Sequence, residues 1–128
     1  MTDKELVFEM YQTASSYYKT SNIPEYFYEA YDTVVKSLNK YDIEENDIRN
    51  DTVKDSDWKK IIHQIIYDLS YAWSVSSDYG EADDVIGLSN LCMDLATTVN
   101  QKGEGYDFVR NKMSKTVYDE LREEHGLK

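Results

Sequence analysis

Apolar residues in this chain recur at helical rather than strand spacing, and five amphipathic segments can be drawn from them. The first covers 3–20 and places Leu6, Met10, Ala14 and Tyr17 within about 80° on a wheel turned about 100° per residue. Thr2 and Glu5 ahead of it match the S/T-x-x-E box, in which each side chain satisfies a free amide of the first turn. Asn22 and Pro24 then punctuate, and a second helix is predicted over 24–41 with Phe27, Tyr31, Val34, Leu38 and Tyr41 on one side. Residues 42–57 are polar without a strong period, so they read as a loop with room for one helical turn. Asp55 or Ser56 is placed to cap a third helix, 57–77. Its stripe of Trp58, Ile61, Ile62, Ile65, Leu69, Ala72 and Trp73 is the widest in the chain and predicts the most buried helix.

A fourth helix, 82–101, aligns Val85, Leu88, Cys92, Leu95, Ala96 and Val99. Gly87 inside it costs up to about 1 kcal/mol relative to Ala, which a close helix crossing would explain. Gly103-Glu104-Gly105 separates the last helix, 106–124, with Val109, Met113, Val117 and Leu121 aligned. Gly126 follows, suited to a left-handed cap. The expected fold is all-α: a single domain over 1–128, built as a compact bundle of about five helices with an acidic loop at 42–57.

Composition supports that fold and narrows the function. Hydrophobic residues make up 41% of the 128, enough for a core, so the net charge of −11 does not signal disorder. A single cysteine excludes an internal disulfide framework and, alone, a Cys-based zinc site. No uninterrupted apolar run approaches membrane-spanning length, and the N-terminus lacks the basic-then-apolar pattern of a secretory signal. A soluble cytoplasmic protein that does not bind nucleic acid directly is expected, because phosphate backbones require cationic surface.

The charge is unevenly placed. Residues 42–57 hold seven acids and two bases, net −5, and residues 78–100 hold five acids and no base, also −5. These stretches flank the third helix. Helix N-termini and solvated loops account for many such acids; a surface that meets a basic partner is the functional alternative. Tyrosine is the second bias, with 12 residues against three Phe. Tyr67 and Tyr71 lie opposite the third helix's stripe, and Phe8 and Phe108 point away from the apolar faces of their helices. Aromatics outside a core are the residue type that anchors interfaces.

Motifs for catalysis are weak. An EF-hand at 42–53 fails at Asp47, where the turn needs Gly, and at Val53, where a bidentate Glu is needed. E-x-x-D occurs at Glu29–Asp32, Glu44–Asp47, Glu81–Asp84 and Glu104–Asp107, but the E-x-x-E at Glu120–Glu123 follows them all, reversing the order of the MazG-like pyrophosphatases. Arg122 and His125 are three apart, too close for the Arg–His spacing of HEPN nucleases. Cys92, on an apolar face, reads as a buried inert thiol.

The sequence therefore points to a non-enzymatic inhibitor or regulator with no cofactor and no metal. It would act through acidic surface on a basic protein, a nucleic-acid-handling enzyme being the natural class and phage anti-defence mimicry one version. The expected contacts are Glu44, Glu45, Asp47, Asp51, Asp83 and Asp84, with Tyr67 and Tyr71 as anchors and Phe8 or Phe108 as a route to a homodimer. A toxin immunity protein is the sister reading. A divalent-metal-dependent helical hydrolase acting on nucleotides is the alternative from another class.

Overall fold

A computed structural model describes residues 2–79, 82–101 and 114–128. Its described elements are helices α1 (Asp3–Thr20), α2 (Tyr28–Asn39), α3 (Glu45–Asn50), α4 (Trp58–Tyr79), α5 (Ala82–Gln101) and α6 (Lys115–His125), with a 3-10 turn at Pro24–Tyr26. The fold is an all-α bundle. Gly103-Glu104-Gly105, Phe108, Val109 and Met113 lie outside the described residues, as does the side chain of Ala96.

α1 begins as its capping box predicts: the Glu5 amide donates to Thr2 Oγ1 at 3.1 Å, and the Thr2 amide to Glu5 Oε1 at 3.4 Å. The expected second helix is divided. Pro24–Tyr26 closes with an i→i+3 bond from the Phe27 amide to the Pro24 carbonyl, 3.0 Å, before α2 starts. Three residues are too few for apolar spacing to separate a 3-10 turn from a first α-turn. α2 also stops at Asn39 rather than at 41. Asp42 adopts a left-handed φ of 60°, and the Ile43 amide returns to the Leu38 carbonyl at 3.2 Å. That closure is usually made by Gly, so an Asp gave no signal of it.

Residues 42–57 are more than a loop. α3 runs for six residues within them and buries Ile48. The N-cap of α4 is Asp57, not Asp55 or Ser56: its Oδ1 accepts from the Lys60 amide at 3.1 Å. α4 is the central helix, packed on α1, α2, α5 and α6. Ile61, Ile62, Ile65 and Leu69 are wholly buried, joined by Leu6, Val7, Met10 and Ala14 from α1, Val34 and Leu38 from α2, and Leu88, Leu91, Leu95 and Val99 from α5.

A partly buried carboxylate borders this core. Asp68 Oδ2 accepts from Ser37 Oγ at 2.7 Å and Lys40 Nζ at 2.9 Å, and Gln64 Nε2 donates to both carboxylate oxygens at 3.1 Å. Gln64 Oε1 in turn accepts from Tyr41 Oη at 2.9 Å and from the Lys128 amide at 2.8 Å. The network joins α2, α4 and the chain's last residues, and it meets the need of buried polar groups for partners.

The close crossing implied by Gly87 is present. A Cβ at that position would stand 1.9 Å from the Tyr26 carbonyl oxygen and 3.1 Å from Phe27 Cα, so only Gly lets α5 meet the 3-10 turn. α6 departs from its expected phase. Ser114 caps it, and Tyr118 rather than Val117 is buried; Val117 is exposed and Leu121 partly covered. The register of a helix capped at Ser114 is set from that cap and not by counting from Val109. Gly126 has the left-handed cap, φ 64°, and returns Leu127 to the protein's interior. Among the described residues no helix is long and apolar enough to cross a membrane.

Candidate functional site

Folding uses most of the acids of 42–57 internally. Glu45 Oε2 accepts from Tyr11 Oη at 2.5 Å, Tyr31 Oη at 2.6 Å and Arg49 Nη2 at 3.2 Å. Burial alone would raise its pKa, but the two hydroxyls and the charges of Lys19 and Arg49 outweigh burial and hold it below the ordinary carboxylate value. The same geometry, with burial as the leading cause, raises both tyrosines. Asp47 accepts from the Glu44 amide and from Thr52 Oγ1, each at 3.1 Å. Asp51 ends α3 in a left-handed conformation and lies 3.2 Å from Lys4. Glu44 is exposed. As contacts for a partner, Glu45, Asp47 and Asp51 are thus compromised by what they already hold.

Of the two aromatic anchors expected, Tyr67 is buried and Tyr71 half-buried. Tyr67 is only 7% exposed although it points away from the α4 stripe, because α6 packs on that side. Tyr118 meets the Tyr67 and Tyr71 rings edge-on at 5.6 and 5.0 Å, and Arg122 Nη2 donates to Tyr67 Oη at 3.0 Å. A wheel of α4 alone cannot reveal a second neighbour on its far side. Phe8 is half-buried, edge-to-face with Trp58 at 6.1 Å.

The acids of α5 behave differently. Asp83 is exposed and Asp84 half-buried in the first turn, where the helix dipole favours anions. The Gly87 crossing sets this end of α5 beside the start of α2, so Asp84 approaches Glu29. Burial, then the charges of Asp84 and Asp32, raises the Glu29 pKa, with Lys36 opposing. Lys36 is committed to Asp32 at 2.9 Å. Glu29 and Asp32, one of several chance-like E-x-x-D matches in the sequence, become part of an acidic face only through this packing.

The two acidic stretches do not merge. Tyr11 reaches α3 at Glu45, while Tyr17 donates to Asp94 of α5. Those tyrosines project about 120° apart around α1 at about 100° per residue. Burial and the Asp94 carboxylate push Tyr17 up to about 12.

Among the described residues no group of three or more His, Cys, Asp or Glu is arranged to hold a metal. Cys92 is buried in the main core. Shallow grooves of about 420 and about 380 Å³ run along α1, the second between Lys19 and Arg49. No protein-family model, curated protein sequence or solved structure matches the chain.

Proposed function

We propose that this protein is a non-enzymatic regulator or inhibitor that docks on a basic face of another protein, using the acidic surface where α2 and α5 begin. The observation that carries it is the placement of Asp84 beside Glu29, where burial first and then the charges of Asp84 and Asp32 raise the Glu29 pKa. Like charges gathered on one face oppose folding, and helix dipoles offset only part of that cost. A cationic partner would relieve it. The acids of 42–57 contribute chiefly to the fold, so the docking charge is local rather than a long run of phosphate-like positions.

The test is capture of a partner from the native host by the full chain at low and high salt, followed by binding measurements with the purified partner. The partner should be basic and should bind more weakly as salt rises, because screening shortens charge attraction. Asp83→Asn/Asp84→Asn should weaken binding several-fold, whereas Glu44→Gln should leave it nearly unchanged. A salt-insensitive complex, or one indifferent to Asp83 and Asp84, would sink the proposal. Manganese-dependent nucleotide turnover would instead favour the hydrolase alternative.

A further inference from the structure

The inner face of α5 packs into the core through Leu88, Leu91, Cys92, Leu95 and Val99, while its outer face carries a second stripe. Asp83, Ile86, Asn90, Met93 and Thr97 follow one another at three- and four-residue steps and are all exposed. Ile86 and Met93 keep 44% and 49% of their surface in solvent. The helix carries no Lys or Arg, and exposed Asp94 stands beside Met93. At the Gly87 crossing the 3-10 turn adds exposed Glu25, with exposed Ile23 just ahead of it.

We propose that this outer stripe of α5 is the seat of a basic amphipathic helix belonging to the partner protein, an assignment that rests on the basic-partner reading and names its contact. Ile86 and Met93 are seven residues apart, about 10.5 Å along the helix, the spacing at which one heptad of a facing helix presents successive apolar side chains. Unbranched Met adapts to varied apolar surfaces. Asp83 at one end suits a Lys or Arg flanking such a stripe, while Asp94 beside Met93 adds negative charge although it already accepts from Tyr17. Charge selects this occupant: a second copy of the chain would set its own α5 acids against these, and a nucleic acid would be repelled.

The probe is a synthetic 18-residue peptide with Leu at heptad a and d positions and Lys or Arg elsewhere. Its controls are a scrambled peptide of the same composition and oligolysine, each titrated into full-length protein labelled at Ile and Met methyls. The patterned peptide should shift the Ile86 and Met93 signals and bind about tenfold more tightly than the scrambled one. Ile86→Ser/Met93→Ser should erase that preference, and Asp83→Asn/Asp84→Asn should weaken all three ligands. Melting curves confirm that each variant folds, and Met93→Lys at its exposed position repeats the test if the double variant does not. Equal binding of patterned and scrambled peptides, or shifts confined to methyls elsewhere, overturns the α5 seat while acid-dependent binding stands. Indifference of every ligand to Asp83→Asn/Asp84→Asn overturns the basic-partner reading along with it.

Discussion

Tyr11, Tyr31 and Arg49 all donate to a single oxygen of Glu45, and the proton balance of that site fixes its response to pH. Because the folded pKa lies below the ordinary 4.5, the stabilisation is complete above that value and is lost as pH falls through the folded one. Glu45→Gln should lower the melting temperature near pH 7 and flatten the acid limb below about pH 4.5; melts across that range check it, and an unaltered limb refutes it. Tyr17 has the opposite sign. Its contribution is intact below its ordinary 10.0 and disappears as pH rises through about 12. Gly87→Ala should destabilise by about 1–3 kcal/mol despite the better helix propensity of Ala, since the obstruction is backbone. Ser70 Oγ is buried with no hydrogen-bond partner among the described residues. Ser70→Ala should therefore be neutral or stabilising by up to about 1 kcal/mol; urea unfolding measures both variants.

At the scale of the element, α6 should respond to pH through its attachment to α4. Rings hold it on α4: Tyr118 lies between Tyr67 and Tyr71, and His125 stacks on His63 at 4.6 Å. Burial, then the charges of His125 and Lys59, lowers the His63 pKa, with Asp57 opposing. A depressed folded pKa means that the unfolded chain binds the proton more readily. Stability is therefore complete above the ordinary 6.5 and falls as pH drops from there toward the lowered value. Protection of the α6 amides, taken relative to their intrinsic exchange at each pH, should fall as pH drops through this window, and His63→Gln should suppress that fall. This window opens at 6.5 and that of Glu45 at 4.5, so loss of stability between those values is assigned to His63.

For the whole molecule, the net charge of −11 outweighs what its ion pairs return. An exposed pair such as Lys115–Asp119 contributes little, because water and salt screen it. Added sodium chloride should raise the melting temperature near neutral pH by screening self-repulsion. A fall with salt would mean that specific pairs dominate instead.

The sequence by itself determined α1, α4 and α5 and the apolar side of each, because these follow from local spacing and capping: α1 and α5 stand where they were read, and Gly87 marked its crossing. Asp68 was visible as the only Asp, Glu, Lys or Arg between Ile61 and Ser77, although its partners were not. Tertiary structure decided which residues are spent and which are left over. Tyr67 disappears beneath α6, Glu45 is consumed by two tyrosines, and Glu29 gains Asp84 from a helix more than fifty residues away. A charge or ring acquires its role from neighbours brought by packing, and helical periodicity carries no information about which helices become neighbours.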